Sequence, residues 1–213
     1  GYNVDIAALA FGVNLLEKTI TEAGHSKARA FGYSLANSVI DTFNENNFVL
    51  SPDPTISVRA LEVELGIENF MLSLGTVLGV VDSSPQFHLM PPFIRYLSEV
   101  VFIQLGDATI TGIPGELYPE IAVGGIENPE GADYNIEPQE VPHLRSQLPG
   151  KLNLMVNLAN DAIGYIIPKS EWDNSAPWIY GGEKETYGEV VSLGSETAPA
   201  IHSAVIEIVT DQD

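Results

Sequence analysis

The sequence predicts an α/β domain built as a mixed sheet with flanking helices, and three observations carry that expectation. Apolar residues recur at helical spacing near the start (Ile6, Leu9, Val13, Leu16 and Ile20) and again at Phe31, Leu35, Val39 and Phe43. The period then changes to two, with Leu61, Val63, Leu65 and Ile67 alternating against Glu62, Glu64 and Gly66, as a half-buried strand requires. Further on, Gly106-Asp107 separates two apolar runs, Val100 to Leu105 and Ala108 to Ile113, in the pattern of a tight hairpin.

Taken in order, Asp5 caps a first amphipathic helix ending near Gly24, and the basic n-region of a signal peptide is missing ahead of it. Ser26 caps a second helix running to about Asn46, where Pro52 and Pro54 break the pattern. A strand over Val77 to Val81 is expected, then a connection rich in proline (Pro85, Pro91 and Pro92) before the hairpin. Residues 124 to 150 show little periodicity and read as a long surface loop of the functional or mobile kind. Leu152 to Leu158 reads as a buried strand, Asn160-Asp161 as its turn, and Ile163 to Ile167 as further extended chain up to Pro168. The chain closes with a helix from about Glu196 to Val209, whose Ile201, Val205 and Ile208 share a face, and an acidic tail. No repeat or low-complexity tract interrupts this order, and the 213 residues are expected to form a single domain.

Composition narrows the functional classes. With 29 Asp+Glu against 9 Lys+Arg the formal charge is -20, which repels phosphate backbones and disfavours nucleic acid as a partner. No cysteine is present, so thiolate metal sites, disulfides and cysteine nucleophiles are excluded. No stretch reaches the ~20 apolar residues of a membrane span, so the chain is expected to be soluble, with a secreted or periplasmic location left open. Phosphate-binding and dinucleotide glycine motifs, the Gly-x-Ser-x-Gly elbow and the His-Glu-x-x-His helix are all missing, and His25, His88, His143 and His202 are scattered singly.

Two patches remain that place polar side chains at strand ends. In Pro114-Gly115-Glu116 the proline fixes one dihedral and the glycine permits a positive one, so Glu116 is held on a rigid turn at the start of a short helix. A carboxylate there suits a cation, although a helix-dipole cap is the plainer role. In Asn160-Asp161-Ala162-Ile163-Gly164-Tyr165 the plainer roles are an Asx turn and a buried ring with its hydroxyl satisfied. His88 reads as a loop residue, His202 as a satisfied helix histidine, and Trp172, Trp178 and Tyr180 as a loop packed on its own domain.

Together the two patches resemble the neutral/alkaline ceramidase family, whose C-terminal catalytic region carries a Pro-Gly-Glu turn and, downstream, an Asn with a Tyr five residues later. Pro114-Gly115-Glu116 and Asn160 with Tyr165 match in order and internal spacing, Pro168 to Trp172 is similar to the family's next turn, and Tyr187-Gly188-Glu189 is similar to its Tyr-Glu dipeptide with one residue inserted. The resemblance spans roughly residues 26 to 205. It implies an incomplete part of a larger α/β catalytic domain. It also implies a zinc amidohydrolase that cleaves the amide of an N-acyl sphingolipid, Glu116 and Tyr165 supplying half of the metal's ligands and Tyr165 also stabilising the oxyanion. Two histidines from an N-terminal part of the same protein, which this sequence does not contain, complete the family's site. Leu117-Tyr118-Pro119-Glu120 departs from the Thr-rich stretch that follows the glutamate in the family. The competing expectation is a non-catalytic acidic domain that keeps the fold for binding or assembly.

Overall fold

The structure, a computed structural model, describes residues 24–45, 55–80, 86–184 and 186–210. The chain divides into two compact units, Gly1–Pro52 and Asp53–Asp213, where the sequence suggests one. The expected helix from Asp5 lies outside the described residues. In the first unit, helix α1 (His25–Asn44) begins one residue before Ser26. Gly24 occupies the cap and no side chain bonds the first turn, so Ser26 is a helical residue and not the cap.

The second unit is α/β. Strand β1 (Ile56–Gly66) pairs antiparallel with β3 (Ile94–Leu105) over its whole length, from Ile56 opposite Leu105 to Gly66 opposite Arg95. The hairpin through Gly106 brings β4 (Ala108–Gly112) back along β3, and β6 (Leu152–Val156) adds parallel to β4. The sheet order is thus β1-β3-β4-β6, and the short β2 (Gln86–Phe87) pairs with the first residues of β3. No strand forms over the described part of Val77 to Val81: Val77 ends helix α2 (Phe70–Val77), Leu78 and Gly79 turn, and Val81 lies outside the described residues. The signal of the helix is Asn69, whose side chain accepts from the amides of Met71 and Leu72 and so caps a helix that a short apolar run alone did not reveal.

One face of the sheet carries the core. Register places Leu61, Val63, Leu65, Val100 and Phe102 on that face together with Thr109, Thr111 and Met155. The closing helix α5 (Thr197–Thr210) lies across it, burying Ala198, Ile201, Val205 and Ile208. Each aliphatic side chain buried there contributes about 2 kcal/mol relative to exposure. The segment 124–150 is the long irregular surface segment that its composition suggests, most of it exposed or half-buried, but it is anchored at a few points. It holds helix-like turn Leu144–Gln147, and Leu144, Leu148 and Glu140 are fully or nearly fully buried. Glycine and proline count describes its irregular backbone but says nothing of how tightly that backbone packs. No described helix is long and apolar enough to cross a membrane.

Candidate functional site

Beyond the paired ends of β4 and β6 the two chains stay together. The amide of Ile113 donates to Val156 O (2.9 Å), that of Ile163 to Pro114 O (3.0 Å) and that of Glu116 to Gly164 O (2.9 Å). This zipper ends in a two-stranded parallel sheet of β5 (Glu116–Leu117) and β7 (Tyr165–Ile166), in which Glu116 stands directly beside Tyr165. Leu117 and Ile166 point into the core, so the period of two turns Glu116 and Tyr165 together toward solvent, each partly exposed. The two residues that the sequence singles out are therefore neighbours. Glu116 sits in a strand rather than at a helix start, and the short helix α3 (Pro119–Val123) begins three residues later, which removes the helix-dipole role.

Glycine makes this approach possible, for a reason other than the dihedral one. A Cβ on Gly115 would lie 2.5 Å from Gly164 O and 2.8 Å from Ile163 Cγ1, although Gly115 does not have a positive φ. Gly164 does, at 87°, and its Cβ would lie 1.8 Å from Val191 O. Beyond it, the Tyr165 amide donates to Val191 O (3.3 Å) and Ser192 Oγ donates to Tyr165 O (2.7 Å). The backbone carrying Tyr165 is held from both sides.

The Glu116 carboxylate, which stands where the Tyr165 hydroxyl can turn toward it, raises the Tyr165 pKa above the ordinary phenol value as a hydrogen-bond acceptor, with burial and the carboxylate's charge adding to the effect. Two more tyrosines flank the ring edge to face, Tyr118 at 6.1 Å between centroids and Tyr187 at 5.9 Å. Tyr187 opens the short helix α4 (Tyr187–Val190) and is largely exposed. Burial, then the charges of Glu189 and other neighbours, push the Tyr118 phenol up to about 12. Glu189 is only 4% exposed, and burial raises its carboxyl to about 7 despite an amide hydrogen bond from Asp173. In the sequence Tyr118, Tyr187 and Glu189 stand out only through the family resemblance, Tyr187 and Glu189 in the Tyr-Glu-like dipeptide and Tyr118 in the stretch that departs from the family.

The remaining singled-out residues lie elsewhere. Asn160 donates to Glu99 Oε1 (2.9 Å), and Asp161 accepts from Tyr96 OH, Ser98 Oγ and the Ala162 amide, so this turn is pinned to β3. His88 lies 3.1 Å from Glu64 Oε1, which Arg95 also pairs. His202 is buried and bonded to Pro142 O at 2.8 Å, and His143 contacts Ala122 O. Trp172 is buried whereas Tyr180 is exposed and donates to Glu127. Among the described residues no three His, Asp or Glu side chains converge as a metal site. Chemically, Glu116 and Tyr165 offer two adjacent oxygen donors of the kind that a cation takes.

No protein-family model matches this sequence, and neither a curated protein nor a solved structure is similar to it in the comparisons made.

Proposed function

We propose that this chain is part of a zinc-dependent amidohydrolase resembling neutral ceramidase, which hydrolyses the amide bond of an N-acyl sphingolipid. The observation that carries the reading is the pairing of Glu116 with Tyr165 across a parallel ladder, on the solvent side of a backbone that two glycines hold rigid. The donor set fits a hard or borderline cation: a carboxylate and a phenol side by side. Glu116 and Tyr165 are two of its ligands, and an N-terminal part of the protein supplies the two histidines. Bound zinc provides a Lewis acid and brings the pKa of its water to ~7.

This chain's own residues have narrower tasks. Glu116 and Tyr165 would hold the metal on the solvent side of the ladder, opposite the core that Leu117 and Ile166 enter. Tyr165, beside the metal, is placed to stabilise the oxygen of the amide carbonyl as negative charge gathers there. Tyr118 and Tyr187 fix the plane of that ring by edge contacts.

The test is zinc content and ceramide amidase activity of the protein with its N-terminal part present, beside Glu116→Ala and Tyr165→Phe. About one zinc per chain in the parent, with loss of metal or of at least ~100-fold in rate in the variants, supports the reading. A parent without zinc, or variants equal to it, favours instead a non-catalytic acidic domain.

A further inference from the structure

Among the described residues of the second unit, the sheet is covered on one face only. Register puts Ile56, Val58, Leu105, Leu152, Leu154 and Val156 on the opposite face, with Val101, Ile103 and Ile110 between them, and the first six are all 40% exposed or more. Antiparallel sheets tolerate one wet face, but that face is then polar. Here β4 and β6 turn Ile110, Leu152, Leu154 and Val156 outward and Thr109, Thr111 and Asn153 inward, so the apolar side chains of these two strands lie mostly on the outer face.

Charge on this face is uneven. Toward the site-bearing end, Glu62 and Glu99 lie directly opposite each other, a like-charge pair that destabilises the ladder. Asn160 bonds Glu99, but among the described residues no cationic group ion-pairs with either carboxylate; Arg95 and His88 are both engaged by Glu64. Length follows from geometry. From Ile56 to Glu62 the strand runs about 20 Å at ~3.3 Å per residue, which an α-helix spans with about 13 residues. Helix α5, which covers the inner face of the same strands, has 14 residues.

We propose that this outer face is the docking surface for an amphipathic helix of a protein partner, apolar along one side and basic at the end that lies over Glu62 and Glu99. Such a helix completes a three-layer arrangement with α5 and neutralises the one charge repulsion built into the ladder. A second copy of this chain fits less well, because it brings a further formal charge of -20 to a face that already carries the opposed Glu62 and Glu99. Anionic membrane is disfavoured for the same reason. The inference stands independently of any zinc chemistry.

The probe is a synthetic peptide of about 16 residues with leucines at helical spacing and lysines clustered at one end, titrated into the full chain by fluorescence anisotropy. Saturable one-to-one binding is expected, weakened at least 10-fold by Leu154→Asp or Val58→Asp and about threefold by Glu62→Gln with Glu99→Gln, the latter losing its salt dependence. Both aspartate variants change exposed positions, and unchanged near-ultraviolet circular dichroism shows that the α5-covered core is intact. Equal binding of a scrambled peptide, binding indifferent to replacement of the lysines by glutamate, or absence of binding overturns the proposal. So does sedimentation showing a dimer that Leu154→Asp dissolves, which assigns the face to a second copy, or uptake by neutral phosphatidylcholine vesicles that competes with the peptide.

Discussion

Gly164→Ala is expected to be among the most damaging single-methyl changes in the protein, because strain and collision coincide there. At φ 87° an L-residue is strained by about 1–2 kcal/mol. The added Cβ would also stand 1.8 Å from the carbonyl oxygen of Val191, a backbone atom that cannot swing aside like a side-chain tip. Moving it breaks the 3.3 Å bond from the Tyr165 amide and disturbs the 2.7 Å bond from Ser192, for a further loss of about 1–2 kcal/mol. The sum is about 3 kcal/mol, or a fall in Tm of roughly 6–12 °C for a chain of this size. Gly125→Ala separates the two causes, since Gly125 has φ 103° but nothing within 4 Å of its Cβ position. Its loss should be the strain alone, about 1–2 kcal/mol. Urea unfolding of both variants checks this; equal losses, or a Gly164→Ala loss under about 0.5 kcal/mol, would show that β7 is not locked against Val191.

Protonation offers a second check. Burial raises the Glu189 carboxyl to about 7, so the folded state holds this proton more tightly than the unfolded chain. Stability from this group is therefore present below its ordinary value of 4.5 and lost as pH rises toward 7, by an amount of about 3 kcal/mol. Unfolding at pH 5 and pH 8 should show that loss in the parent and a smaller one in Glu189→Gln; identical pH slopes would remove Glu189 as its source. Glu116→Gln should bring the Tyr165 phenol down toward its ordinary pKa, read by ultraviolet titration against Tyr165→Phe, while the Tyr118 phenol stays near 12. Asp161→Ala strips acceptors from Tyr96, Ser98 and the Ala162 amide and should cost about 2 kcal/mol in urea unfolding. A loss under about 0.5 kcal/mol would mean that this turn is not anchored to β3.

Local pattern carried the class of fold and the principal strands, because alternation at Leu61 to Ile67 and the Gly106-Asp107 hairpin are consequences of nearest-neighbour geometry. It failed where a short apolar run fits two periods. Val77 to Val81 is β-branched enough for a strand, and only the cap at Asn69 turns the preceding residues into a helix. The same limit hid the interior of 124–150, where Glu140 and Leu144 are buried by contacts that no local period encodes.

The site was legible in a different sense. Glu116 and Tyr165 stood out by sequence as residues, yet their adjacency depends on a parallel ladder whose strands are two residues long, too short to leave any alternation. What the sequence does record is the pair of glycines next to them. Gly115 and Gly164 are placed where two backbones come within contact, so the rarest information, which distant segments touch, is written as the absence of a side chain. Tyr118, Tyr187 and Glu189 have no such mark, since an aromatic or an acid suits many surroundings. The raised pKa values of Tyr118 and Glu189 arise only once burial and the neighbouring carboxylates are assembled, and for that reason electrostatics rather than motif is the property by which this surface is to be tested.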